Sequence, residues 1–422
     1  MLWPVQARSS HPALRAGPDR HNPAMSHAKP PLAPIPSHPH LVANYGRFDL
    51  RPVRGEGCWL IDGDGHRLLD GLAGIAVNSL GHGHPALVEA ISSQAERLIH
   101  TSNYFHIGPQ EELAALLCAG SFADKVFFCN SGAEANEAAY KLLRLWGNRV
   151  HGGHKTRILS ATGSFHGRTM GALSLTCNPR HQDGFAPLLP IEYVPYGDSA
   201  ALAATMDDRV AGVFLEPIQG ESGINLPPDD YLPQVRALCD RHQALWVADE
   251  VQTGCGRCGQ LFAHQWTPVH PDIMTLAKGL GGGVPIGAVA ATAAVADLLI
   301  PGSHGSTFGG NHLACAAGAA VMRTISAPGF LDAINARGQQ LHDGLHRICG
   351  DQAQDIRGRG LLWGVQLAKD PLPVVKAALG HGLICGTAGN NVLRLAPPLI
   401  ISADEIDILL ERLAAAFKDC AG

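Results

Sequence analysis

Between about residues 75 and 295, short apolar runs alternate with helical stretches, and each run exits into polar or glycine-rich sequence. The runs are Lys125 to Cys129 (KVFFC), Arg157 to Ser160, Val210 to Leu215, Ala244 to Ala248 (ALWVA) and Ile273 to Ala277. Helical spacing covers Pro85 to His100, with Leu87, Ala90, Ile91, Ala95 and Leu98 along one face, then Glu111 to Cys118, a stretch entered at Asn130 and ending near Trp146, and Tyr231 to His242. Strands divided by helices do not close as hairpins. The pattern predicts an α/β fold with a mainly parallel sheet and helices on both faces. In such sheets ligands gather beyond the carboxyl ends of the strands, so the strand exits are where chemistry is sought.

Two exits stand out. In PDIMTLAKGLGGGVPIG, Lys278 follows an apolar run and precedes Gly279, Gly281, Gly282, Gly283 and Pro285, which cannot continue regular structure. A lysine held there is partly desolvated, which lowers its pKa and favours the neutral amine that forms a Schiff base; an isolated surface lysine beside a turn is the plain alternative. The ALWVA run ends on Asp249 and Glu250. A Schiff-base lysine with an acidic partner for a pyridinium nitrogen is what a protein contributes to pyridoxal phosphate chemistry. The KVFFC run delivers NSGAEAN, placing Ser131, Gly132 and Ala133 at a helix N-terminus, where free N–H groups and the dipole make a phosphate seat. An ordinary Ser cap with Glu134 three residues on accounts for the same residues equally well. In SFHGRTMG, Phe165 offers a flat face and Arg168 a carboxylate fork, set against the default of a core Phe and a solvated Arg. Glu216 closes the Val210 run and Glu221 lies in the loop beyond.

The flanks are organised differently. Leu41 to Leu72 reads as short strands with a turn at Asp62–Gly65, and the sequence after Pro328 and Gly329 reads as helices at Leu331 to Cys349, Pro371 to Gly380 and Ala403 to Phe417 with strands at Gly360 to Leu367 and Asn391 to Leu395. The expected division is a tail at 1–39, a strand segment at 40–75 packing with the small domain, a large cofactor-binding domain at 76–327 and a small α+β domain at 328–422. The tail is rich in Pro, His, Ser and Ala and is expected to be either a disordered tail or an upstream extension before a start at Met25. A formal net charge of -5 gives no electrostatic case for nucleic acid or an anionic membrane. No apolar run reaches the roughly 18 residues of a membrane span. Eleven cysteines without a paired framework suit a reducing cytoplasm, and the lone CxxC of Cys255 and Cys258 lacks the companions of a zinc site, so no metal is expected.

Eight motifs in order, NSGAEAN, FHGRT, EPIQGE, DEVQTGCGR, LAKGLGGG, HGSTFGGN, RGRGLL and RLAPPL, resemble the class III aminotransferases of pyridoxal phosphate fold type I, in the group that acts on acetylornithine, succinylornithine and ornithine, nearest its acetylornithine branch. The likeness covers about residues 40 to 420. It implies a large domain with a seven-stranded type of sheet, a smaller α+β domain, and a homodimer with its sites at the subunit interface. It implies that Lys278 forms the Schiff base and carries protons, that Asp249 pairs with the pyridine nitrogen, that Gln252 bonds the ring's phenolic oxygen, and that Phe165 and Val251 contact the ring. Ser131, Gly132 and Ala133 then hold the phosphate, completed by Thr307 of the neighbouring subunit, with Ser306 beside it at the substrate. Arg168 takes the substrate's distal carboxylate, Arg394 takes the α-carboxylate of glutamate, and Glu221 neutralises Arg394 until glutamate arrives. The implied reaction moves the δ-amine of N2-acetyl-L-ornithine to 2-oxoglutarate, as in arginine biosynthesis. Succinylornithine, ornithine, GABA and diamines remain alternative donors, and an aminomutase is the reading from another class. Two departures stand in the motifs: Ser222 where glycine is common, which touches the mobility of the Glu221 loop, and Cys258 where Thr is more usual.

Overall fold

The computed structural model describes residues 40–420; the expectations for the tail and for Met25 fall outside them. Three strands open the described chain, β1 (Pro52–Glu56), β2 (Trp59–Asp62) and β3 (Arg67–Asp70). Seven follow: β4 (Lys125–Cys129), β5 (Arg157–Ala161), β6 (Glu192–Val194), β7 (Val210–Leu215), β8 (Leu245–Asp249), β9 (Ile273–Leu276) and β10 (Gly287–Ala291). These form one sheet in the order β4-β10-β9-β8-β7-β5-β6. β10 runs antiparallel to β4 and β9; the remaining pairs are parallel. The central strands β7 and β8 are buried along their whole length, as strands covered on both faces must be. Phe214 and Val247 pack towards the Gly132–Leu145 helix on one face, and Val213 and Trp246 pack towards the Tyr231–Arg241 helix on the other.

The last five strands are β11 (Ala353–Arg359), β12 (Leu362–Leu367), β13 (Leu383–Ile384), β14 (Gly386–Ala388) and β15 (Val392–Leu395). β11-β12-β15-β14 make a second sheet, whereas β13 pairs in parallel with β3 and so joins the N-terminal strands to the C-terminal part of the chain. The Phe330–Cys349 and Ala403–Asp419 helices pack against this region through Leu341, Leu345, Leu409 and Leu413. β11 was not expected from sequence: AQDIRGR has no apolar run, and only antiparallel pairing with β12 makes it a strand. The first long helix spans Pro85–Arg97, three residues short of the expected end, because Leu98 is extended while Gln94 Nε2 donates to its carbonyl. Among the described residues no single helix is long and apolar enough to cross a membrane.

Candidate active site

The exits of β4, β5, β7, β8 and β9 open on one cavity of about 420 Å³. Its lining includes Ser131, Gly132, Ala133, Phe165, Arg168, Asp249, Val251, Gln252 and Lys278, residues expected from four separate motifs. Strand order explains the convergence, since β8 lies between β7 and β9 and sets Asp249 beside the ends of both neighbours.

Lys278 does not continue β9. It opens a single 3-10 turn, Lys278–Gly281, with φ of 39°, a left-handed conformation unusual for a side-chain-bearing residue and one that the surrounding structure has to enforce. Ser79 Oγ donates to the carbonyl of Gly279 at 3.1 Å and pins the turn. Burial lowers the pKa of the Lys278 amine, and the positive charge of Arg394 adds to that; Glu221 and Asp249 oppose it without reversing it. The amine therefore gives up its proton more readily than an ordinary lysine.

Asp249 sits 3% exposed on a fully partnered carboxylate. Oδ1 accepts the N–H of Val251 at 3.0 Å, and Oδ2 accepts Asn136 Nδ2 at 2.8 Å and meets His166 Nδ1 at 2.7 Å. Asn136 also donates to the carbonyl of His166 at 2.6 Å, which closes the triangle. Neither Asn136 nor His166 was singled out from sequence, although both lie inside the NSGAEAN and FHGRT motifs. Their role is set by contacts across 113 and 83 positions of chain, which no local pattern encodes. Glu216, also missed, accepts the N–H of Phe165 at 3.1 Å and of Gly220 at 3.3 Å; burial and the charge of Asp249 push its carboxyl well above the usual range.

At the opposite wall Ser131 is the N-cap of the Gly132–Leu145 helix, its Oγ accepting Glu134 N–H at 3.2 Å. The cap reading is therefore met, and the amides of Gly132 and Ala133, first in the helix, have no intrahelical acceptor and border the cavity, as a phosphate seat would require. A Cβ on Gly132 would stand 2.7 Å from Val251 Cγ1, so the glycine is what lets Val251 close over the helix start.

Arg394, 3% exposed, projects from β15 between Gly364 of β12 and Gly386 of β14. Its Nη1 donates to Glu221 Oε1 at 2.6 Å and to Gln252 Oε1 at 3.3 Å, and Gln252 Nε2 donates to Glu221 Oε1 at 3.1 Å. Burial would raise the Glu221 pKa, but Arg394 and then Lys278 outweigh it and hold the carboxyl below its ordinary value. Arg394 Nε is buried without a partner among the described residues. The Glu221 loop is tied down: Ser222 Oγ donates to Gln219 Oε1 at 3.0 Å, the N–H of Gly389 donates to the Glu221 carbonyl at 2.7 Å, and Arg357 Nε donates to the carbonyls of Gly223 and Ile224. Arg168 is exposed, its guanidinium 5.5 Å from the Phe165 ring centre. Thr307 and Ser306 do not line this chain's cavity; Thr307 is exposed, and Ser306 Oγ accepts from Asn130 Nδ2 at 3.1 Å and from Gly309 N–H at 2.9 Å. Cys258 is fully buried, with a thiol that burial keeps protonated, away from the cavity lining.

The family model for aminotransferase class III matches residues 42–417. This chain is a class III aminotransferase. Its overall sequence is 48% identical over 378 residues to the acetylornithine aminotransferase of Caldanaerobacter subterraneus subsp. tengcongensis, covering 89% of this chain and 96% of that one. Among solved structures the aminotransferase resembles ornithine aminotransferase from Toxoplasma gondii (TM-score 0.87, 35% identity, 90% of this chain and 93% of that one). It also resembles N-acetylornithine aminotransferase from Stenotrophomonas maltophilia (TM-score 0.77, 39% identity, 88% and 96%). The cofactor of this family is pyridoxal 5'-phosphate, and the aminotransferase depends on it. The cavity's donor set fits that group: a helix N-terminus for a phosphate, a buried carboxylate for a ring nitrogen and an amine of lowered pKa for a carbonyl carbon.

Proposed function

We propose that this aminotransferase moves the δ-amine of N2-acetyl-L-ornithine to 2-oxoglutarate, giving N-acetyl-L-glutamate 5-semialdehyde and L-glutamate, the reaction expected of arginine biosynthesis in the cytoplasm. Bound pyridoxal phosphate supplies a carbonyl carbon for the amine and a ring that draws electron density from the carbon next to it. Ser131, Gly132 and Ala133 hold the phosphate, Phe165 and Val251 enclose the ring, Gln252 serves its phenolic oxygen and Asp249 its nitrogen. Asn136 and His166 fix Asp249. Lys278 Nζ would carry the proton between the carbon that bears the substrate amine and the carbonyl carbon of the bound cofactor, in opposite directions in the two halves of turnover.

The observation carrying this reading is the 2.6 Å pair of Glu221 with Arg394. An enzyme that alternates between an ω-amine donor and glutamate needs a guanidinium for the α-carboxylate, and it needs a counter-charge when that carboxylate is absent, because a buried charge left unpaired costs about 3–5 kcal/mol. Arg394 with its unpartnered Nε supplies the first and Glu221 the second. Arg168 at the exposed rim takes the distal carboxylate. The homodimer part of the reading is supported by an apolar surface, with Leu98, Ile99, Tyr104, Phe105 and Phe308 all exposed, next to Thr307. The eleven free thiols support a reducing compartment.

An ornithine donor is the second reading, favoured by the backbone likeness to the Toxoplasma enzyme. A panel of N2-acetylornithine, N2-succinylornithine, ornithine, GABA and a diamine against 2-oxoglutarate separates them through kcat/KM, with acetylornithine expected to lead by about tenfold or more. A higher value for ornithine overturns the assignment, and failure of glutamate to convert the bound cofactor to its amine form overturns amino transfer in favour of an aminomutase.

A further inference from the structure

The Phe330–Cys349 helix carries His342 and His346 one turn apart, on the opposite side of β12 from the buried Arg394. Their Nε2 atoms stand 3.1 Å apart. Two imidazoles bound to one tetrahedral zinc, each at roughly 2.0–2.1 Å, hold their nitrogens about 3.3 Å from one another, so the rings are already spaced as ligands. The protonation pattern also suits a metal. Asp343 Oδ1 lies 3.0 Å from His342 Nδ1, closer than Gln339 Nε2 at 3.4 Å, and offers an acceptor for a proton on that nitrogen; with the proton there, the Nε2 lone pair faces His346. Gln339 Nε2 donates to the same carboxylate oxygen at 2.8 Å and holds it in place. A carboxylate behind a ligand histidine is the arrangement that orients imidazole and raises its donor strength. His342 is fixed from a third side by Trp363, whose ring centre is 5.0 Å away. Its side chain keeps 32% of its surface, so an ion can reach it.

We propose that His342 and His346 form a binding site for a divalent transition-metal ion of the imidazole-preferring class, such as Zn²⁺, Ni²⁺ or Cu²⁺, with water in the remaining positions. On binding, the hydrogen shared between the two Nε2 atoms moves to Nδ1 of His346, and both lone pairs turn to the metal. The ion bridges one turn of the helix, and it sits close enough to Trp363 to quench its fluorescence.

Calorimetric titration of the cofactor-loaded full chain with Ni²⁺ tests this. Wild type is expected to take up one equivalent that His342→Ala and His346→Ala each weaken by about tenfold or more, and that Asp343→Asn weakens by about tenfold. Trp363→Phe keeps that equivalent but loses the accompanying fluorescence quench. Histidines elsewhere, including His11, His21 and His38, are common to all variants and cancel in the comparison. Unchanged stoichiometry and affinity in His342→Ala and His346→Ala, or quenching that persists in Trp363→Phe, overturns the site.

Discussion

Arg394 and Glu221 form an ion pair in which one partner is almost wholly enclosed and the other keeps 28% of its side-chain surface, so the more accessible member is the one a ligand can displace. Replacing Glu221 with Gln removes the counter-charge and keeps the shape. The expected result is a fall of about tenfold or more in kcat/KM for the ω-amine donor, with the glutamate half-reaction unchanged or faster, measured by single-turnover absorbance of the cofactor. Equal losses for both substrates would rule out the exchange. The pair also has a pH signature. Because the folded-state pKa of Glu221 is depressed, the pair stabilises the fold above the ordinary carboxylate value and loses that contribution as the pH falls through the depressed one. Glu221→Gln should therefore narrow the stability difference from wild type as acid is added, in thermal melts from neutral pH downwards.

Elements are where the site is put together, and they show which parts a reader of the sequence can reach. Lys278, Asp249 and the Ser131–Ala133 start are legible because each closes an apolar run, and the break in pattern falls at the residue that matters. His166 and Asn136 are not, because each looks like ordinary loop or helix polarity until β5, β7 and β8 set them beside Asp249; Glu216 does close an apolar run, but only its bonds to the N–H groups of Phe165 and Gly220 show what it holds. The strand β11 stayed hidden for a similar reason, its identity resting on a neighbour rather than on its own residues. The contact between the Gly132 helix start and Val251 belongs to this scale. Gly132→Ala should push Val251 aside, lowering cofactor affinity by about tenfold at a stability cost of about 1–3 kcal/mol, checked by fluorescence titration with pyridoxal phosphate and by denaturant unfolding. Unaltered affinity would mean that the valine takes no part in enclosing the ring.

For the whole molecule the question is how many chains make one site. Leu98 to Phe105 lies against the loop of Ser306 to Gly309, with Asn103 Nδ2 donating to the carbonyls of both ends and His100 tilted against Phe308 at 5.3 Å. The apolar side chains exposed there are therefore rigidly presented beside Thr307. If Thr307 serves the neighbouring subunit, unfolding and refolding Lys278→Ala together with Thr307→Val should regain activity beyond the sum of the two alone. The mixed dimer then contains one site with an intact lysine and an intact threonine. No gain on mixing would confine each site to a single chain.

The loop bearing Glu221 is fastened at its backbone to β11 and to the residues after β14, and Ser222 staples it internally. The serine found where glycine is common therefore stiffens a part that has no need to bend. In the proposed exchange, handing Arg394 from one carboxylate to another would ask only for rotation about the bonds of a single glutamate, with the main chain as a fixed pivot. Such a latch would reset on the timescale of a rotamer, far quicker than a loop could peel away and redock, and so would set no limit on how fast the two halves of a turnover follow each other.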